Sequence, residues 1–448
     1  MNKFIEDIRN IFSIVELRNR ILLTLGLLFI YRFGSYVVLP GIAPNQLTQI
    51  SSEGLMGVFD LFAGGAFSRS SVFALGIMPY ISASIVMQLL TLSVPYFQKL
   101  QKEGESGQKQ ITQWTRIGTI GVTLVQAVAY VKYLTSPQLG TPIYPGISAG
   151  LFWATTVACL TVGSIVVMWL GEQIQERGIG NGSSIIIMAN IISRLPGSFM
   201  VEVESRFQGT GGGLLMFILE MAFLIAIITF TILIIKAVRR VPLSYAKQLV
   251  GGANVQAGSR RGFLPLKVNI AGVMPIIFAQ TFLLIPITVV QLFPQSSTAS
   301  FLTKMTDHTS IPYNVLTFLM VLLFTYFYTA LIMNPTQMAD ELKRNNGYIP
   351  GVKPGASTAE YIDTILSRIT LPGSVFLGLI AILPAFASGL GVNSQFSYFF
   401  GGTSLLILVA VVLDTMDRIE TYLLNKHYDG LTKSGSKLKG RIYSDSNF

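Results

Sequence analysis

The 448-residue sequence predicts an all-α polytopic membrane protein: ten transmembrane helices in two five-helix halves. The first observation is composition. The chain is 51% apolar and 12% charged, with a mean hydropathy of +0.57, whereas soluble domains carry about 25% charged residues. The second is a series of apolar segments at 21–40, 71–92, 114–134, 151–171, 181–195, 214–236, 270–292, 313–333, 371–390 and 397–413, read as spans of a hydrocarbon core about 30 Å thick. The third is charge asymmetry. Threading those spans puts 26 of the 32 lysines and arginines on one side, leaving Arg32, Arg69, Lys132, Arg194, Arg206 and Lys304 on the other. By the positive-inside rule both termini are cytoplasmic.

Residues 1–20, "MNKFIEDIRNIFSIVELRNR", are polar and amphipathic and lack a compact apolar core with a small-residue cleavage site. They read as a cytoplasmic segment and not as a signal peptide. Residues 21–195 form the first half, 196–413 the second and 414–448 a cytoplasmic tail. Five is an odd number, so similar halves would be inverted, related by an in-plane pseudo-two-fold. No sequence similarity between the halves is evident, and the inversion rests on arithmetic. The fifth span, "NGSSIIIMANIISRL", is short for a lipid-facing helix and is placed inside the bundle.

"FDLFAGGAFSR", Phe59–Arg69, has helical apolar spacing but could cover only about half a bilayer. Two loops on the basic side, 237–269 and 334–370, are unusually long. Their Tyr, Leu and Ile residues favour order and docking, whereas anchoring alone would need only a few lysines. The first reads as a hairpin turning near Gly251-Gly252.

A single cysteine, Cys159, and two histidines, His308 and His427, exclude a disulfide framework and a thiolate or imidazole metal cluster. No Walker loop, H-E-x-x-H or G-x-S-x-G occurs, so neither an enzyme nor a cofactor is expected. Ionisable residues in spans mark proton or ion coupling, but here they are few: Arg32, Glu172, Glu220, Lys236 and Asp414. Glu220 is the candidate for a buried charge, against an acid near the outer interface or turned toward the protein interior. The second and seventh spans instead carry Ser82, Ser84 and Gln88, and Gln280 and Thr281, with internal prolines Pro79 and Pro275 that would permit bending. These groups suit either a separable contact or plain packing.

Several long runs resemble the bacterial SecY family: "FDLFAGGAFSRSSVFALGIMPYISASIVMQLL" (59–90), "KEGESGQKQITQWTR" (102–116) and "QERGIGNGSSIIIMANI" (175–191). So do "LPLKVNIAGVMPIIFA" (264–279), "NPTQMADELKRNNGYIPGVKPG" (334–355) and "FGGTSLLILVAVVLDT" (400–415). The matches run in order along nearly the whole chain.

The resemblance implies two five-span halves around a central pore that translocates unfolded secretory proteins and releases transmembrane segments laterally. It implies a pore ring of Ile81, Ile85, Ile187, Ile191, Ile277 and Ile407. It implies a lateral gate between spans 2 and 7 at Ser84, Gln88, Gln280 and Thr281, and a re-entrant plug helix at about 57–69 with Phe59, Asp60, Leu61, Phe62, Gly64, Gly65, Phe67 and Arg69. Asp60 and Arg69 are expected at the plug's wetter edges, with glycines making it easy to displace.

Ribosome or SecA docking falls to Arg239, Arg240, Lys247, Arg260, Arg261, Lys343, Arg344 and Lys353. The implied partners are SecE, SecG, the SecA ATPase, the ribosome, signal peptides, nascent chains and lipids, in a bacterial cytoplasmic membrane. Two departures affect docking. "GGAN" occupies the first loop's tip where many members have paired arginines, and Lys353 replaces the family's usual arginine. The alternatives are an inverted-repeat secondary transporter and an accessory copy with restricted clients.

Overall fold

The computed structural model describes residues 14–43, 60–135, 144, 148–207, 213–245, 261–292 and 310–442. Each expected span falls mainly on one helix, and several ends differ by about seven residues or more. In chain order these are α1 (Val15–Gly34), α2 (Met78–Ser93), the short α3 (Pro95–Lys102), α4 (Glu105–Leu134), α5 (Ala149–Arg177), α6 (Gly182–Phe207) and α7 (Gly213–Ile235). Strands β1 (Val238–Tyr245) and β2 (Arg261–Lys267) follow, then α8 (Met274–Leu292), α9 (Ile311–Ile332), α10 (Pro335–Arg344), β3 (Gly347–Tyr348), α11 (Ala356–Gly389), α12 (Ser394–Ser397) and α13 (Gly402–Ile442).

Six helices among the described residues are long and apolar enough to cross a membrane, or seven if the bent α2–α3 pair is one span. Of the other expected spans, α1 carries Glu16, Arg18, Arg20 and Arg32 within its 20 residues, and the described apolar part of α8 is short. The chain forms two compact units: residues 1–51, 58–194 and 411–448, and residues 52–57 with 195–410.

In the first unit α2 packs on α4, α4 on α5, and α1 on α5. The contact face of α4 is a ladder of small hydroxyl residues. Thr115, Thr119 and Thr123 are buried, each hydroxyl donating to the carbonyl four residues back. Lipid-immersed helices approach one another over such small residues, because burial of apolar area cannot drive their association. Between α4 and α5, Arg116 donates two hydrogen bonds of 2.9 and 2.8 Å to the Glu172 carboxylate. Helix α2 stops at Val94, whose extended backbone precedes Pro95, and α3 leaves at 96°. The residue before a proline is pushed out of the helical region.

In the second unit α9 packs on α8 and α11 through the buried stripe Thr317, Val321, Thr325 and Thr329. The basic-side loops are ordered where described. Strand β1 pairs antiparallel with β2, Val238 opposite Lys267 through Ser244 opposite Arg261, and β3 joins its other edge. Val241, Leu243, Leu266, Ile349, Ile362 and Leu366 form a small core beneath this sheet. The hairpin is present, and its tip, 246–260, lies outside the described residues.

Three expectations need correction. Pro79 and Pro275 are not internal hinges; each is the second residue of its helix, where the missing N–H would be unpaired in any case. The fifth span does not stop at residue 195, since α6 runs through Pro196 to Phe207. Residues 356–370 are the first turns of α11 and not loop.

Candidate functional site

Segment 60–70 is not the half-helix that its apolar spacing predicts. Only Asp60–Phe62 is helical, and consecutive turns follow to Ser70. Gly64 and Gly65 have φ of +63° and +85°, the left-handed region that costs other residues about 1–2 kcal/mol. A side chain at Gly64 would also lie 2.6 Å from Oδ1 of Asn190, so this turn requires glycine twice over. Leu61, Phe62, Ala63, Ala66 and Phe67 are buried. Phe67 meets Tyr130 edge-on at 4.7 Å. Phe59 lies outside the described residues.

Polar contacts hold the segment in addition to apolar ones. Asp60, expected at a wet edge, is 2% exposed and ion-paired with Arg194. Its Oδ1 accepts from the Ser68 backbone N–H at 2.8 Å, and Arg194 donates to the Ser68 hydroxyl at 3.2 Å. The Asn190 amide donates to the Phe62 carbonyl at 2.5 Å and to the Tyr31 hydroxyl at 2.8 Å. The Gly64 carbonyl accepts from Arg32 at 2.7 Å and Arg69 at 3.0 Å, and both guanidiniums lie over the Tyr36 ring. Tyr130 donates to the Phe67 carbonyl at 2.8 Å. Neither Asn190 nor Arg32 was singled out by sequence reasoning as touching this segment, and Arg194 was counted only as an outer-side charge. A signal was present: Ile187, Asn190, Ile191 and Arg194 are spaced three, four and seven residues apart, one helical face.

All six proposed ring isoleucines are buried. Four belong to the first unit, Ile81 and Ile85 on α2 and Ile187 and Ile191 on α6; Ile277 on α8 and Ile407 on α13 belong to the second. Their helices begin alike, a repeat absent from the sequence reading. Gly76-Ile-Met-Pro79 and Gly272-Val-Met-Pro275 open α2 and α8, with both glycines at positive φ, +54° and +64°. Ile81 and Ile277 then fall at the same position. Gly182-Ser-Ser-Ile-Ile-Ile187 and Gly402-Thr-Ser-Leu-Leu-Ile407 likewise open α6 and α13, with Ile187 and Ile407 in register.

On the two proposed gate helices, Ser84 and Gln88 are half-buried, while Gln280 and Thr281 are buried. The Thr281 hydroxyl bonds its own helix at the Ile277 carbonyl, and Gln88 Oε1 is buried without a partner. Of the docking residues, Arg239, Arg240, Lys343, Arg344 and Lys353 are exposed, and Arg240 lies 4.9 Å over the Phe263 ring. Lys247 and Arg260 fall outside the described residues, as does the Arg261 side chain. Glu220 is buried, paired with Arg206, which also holds Glu202.

The SecY family model matches residues 71–416. A protein translocase subunit SecY from Chlamydia muridarum is 38% identical over 457 residues, covering 97% of this chain and 99% of its own. The Escherichia coli K12 protein of the same name is 39% identical over 433 residues, with 95% and 96% covered. Sec61 in the canine ribosome-channel complex from the endoplasmic reticulum has a TM-score of 0.61 at 16% identity, covering 90% of this chain and 92% of its own; that likeness concerns the fold.

Proposed function

The chain belongs to the SecY family, and we propose on that premise that it is the pore subunit of a protein translocation channel. It passes unfolded chains across the membrane, releases apolar segments into lipid, and is a channel rather than an enzyme. The observation that carries the reading is segment 60–70: a buried, glycine-turned stopper against the face of α6 that bears Ile187 and Ile191. As the plug, this segment closes a pore whose lining is Ile81, Ile85, Ile187, Ile191, Ile277 and Ile407. Stiff β-branched side chains offer a crossing ion no hydration, so such a lining gates by excluding water. The matched helix starts support this lining, because they bring Ile81 and Ile277, and Ile187 and Ile407, to equivalent positions.

Helices α2 and α8 serve as the lateral gate, with Ser84, Gln88, Gln280 and Thr281 as its polar residues. An incoming signal sequence inserts at this gate and partitions into lipid, driven by burial of about 20 apolar residues. The cations of β1, α10 and the turn at Lys353 suit phosphate or carboxylate surfaces, consistent with docking by a ribosome or SecA. SecE and SecG complete the complex, which sits in the bacterial cytoplasmic membrane with both termini inside. A transporter would need midplane ionisable ligands, and Glu220 is already paired.

The test is a photo-crosslinker at Ile85 or Ile277 in the presence of a stalled secretory chain. Adducts at both positions are expected. A correctly targeted chain that forms neither would overturn the channel reading. Normal export of some secretory clients and none of others, in a strain where this is the sole copy, would identify the accessory form.

A further inference from the structure

One face of α6 interleaves apolar and polar side chains: Ile187, Asn190, Ile191 and Arg194. A seal made by apolar surfaces needs neither polar residue, and a polar group taken out of water is costly unless partnered. Both are partnered by segment 60–70. Asn190 is 1% exposed and spends its amide on the Phe62 carbonyl and the Tyr31 hydroxyl. Arg194 pairs with Asp60 and reaches the Ser68 hydroxyl.

The charge balance is lopsided: Arg32, Arg69 and Arg194 converge on the Gly64–Gly65 turn. Asp60 is the carboxylate described among them. Removing Asp60 leaves three cations around a buried turn. Removing Arg194 leaves a carboxylate whose side chain is 3% exposed without its ion-pair partner. Either loss penalises the closed state far more than an open state in which the groups are hydrated.

We propose that Arg194 and Asn190 are positioning residues that latch segment 60–70 shut through Asp60 and the Phe62 carbonyl. Latch strength then sets how apolar a signal sequence must be to open the channel. This rests on reading segment 60–70 as the plug. A two-state closure is biased only by differential free energy, so each increment of latching raises the apolar burial that the signal must supply.

The full complex is reconstituted in planar bilayers and proteoliposomes. Asp60→Asn and Arg194→Gln should each raise resting ion conductance about tenfold and admit a preprotein with a shortened apolar signal core. Arg194→Lys should remain sealed, and the exchange Asp60→Arg with Arg194→Asp should return both readouts towards the parent. With Ala66→Cys in a Cys159→Ala background, position 66 should react faster with an impermeant maleimide in Asp60→Asn than in the parent.

Unchanged conductance, client range and labelling in both single variants would overturn the latch. Deleting residues 60–68 separates the two levels. Conductance raised by the deletion but not by the single variants sinks the latch alone. Conductance unaltered by the deletion sinks the plug reading.

Discussion

Helix α6 carries two arginines, Arg194 and Arg206, and their surroundings differ in kind. Arg206 is 5% exposed and bonds Glu202 on its own helix at 2.8 Å, Glu220 on α7, and the Gly391 carbonyl at 2.8 Å. The Asn393 backbone N–H completes the cluster by donating to Glu202 Oε2 at 2.9 Å. These partners sit on helices or in the turn between α11 and α12. Arg194 has a side chain 29% exposed, and its acid, Asp60, belongs to a segment with one helical turn and two left-handed glycines. A charge shared among regular elements fixes a junction. A charge shared with a glycine-turned segment provides a contact that can be given up.

The sharpest way to break this contrast is to remove Arg206. Arg206→Met leaves Glu202 and Glu220 buried without their cation, and loss of one partner from a buried cluster costs about 3–5 kcal/mol. The expected result is a large fall in thermal midpoint and yield of the purified complex. The neutral triple variant Glu202→Gln, Arg206→Met, Glu220→Gln should recover most of that loss. Arg194→Gln should move the midpoint much less while changing the leak. Equal thermal effects from the two arginines would erase the distinction.

Gly64→Ala is the next largest. It forces a left-handed conformation on alanine, about 1–2 kcal/mol, and drives Cβ towards the Asn190 side chain. Because only the closed segment needs this turn, the strain should appear as raised resting conductance with little change in overall stability. A sealed Gly64→Ala channel would mean that the turn relaxes without leaving its site.

Hydropathy and charge located the helices, because a lipid-facing span must be apolar along its length whatever surrounds it. The failures came where a partner distant in sequence decides the outcome. Asp60 looked like a wet edge because nothing near it in sequence announces Arg194. The segment looked like a half-helix because its apolar spacing is helical, yet Gly64 and Gly65 divert the backbone. Pro79 and Pro275 looked like hinges because apolar runs extend upstream of both, while the helices begin one residue earlier. The repeated helix starts escaped notice because each spans only four to six residues between unlike flanks. Strand β3 was out of reach for the same reason: two residues, Gly347 and Tyr348, pair with β1 about a hundred residues earlier.

The smallest effects belong to cations that, unlike either α6 arginine, face outward. Arg239 and Arg240 are exposed on β1, and Lys353 is exposed in the turn before α11. Exposed charges act through a screened potential, so each contributes mainly to encounter and salt dependence. Reversing Arg239 and Arg240 to Glu should weaken ribosome binding and flatten its salt dependence, by about one unit of slope for each phosphate no longer neutralised. Lys353→Arg keeps the charge and adds a bidentate fork, so it should tighten docking only about threefold, on the scale of one exposed pair. Neither change should alter resting conductance, because these residues are not among those that hold segment 60–70. A leak produced by Lys353→Arg would show that docking and sealing are coupled, and would make the Arg194 latch one part of a longer gate.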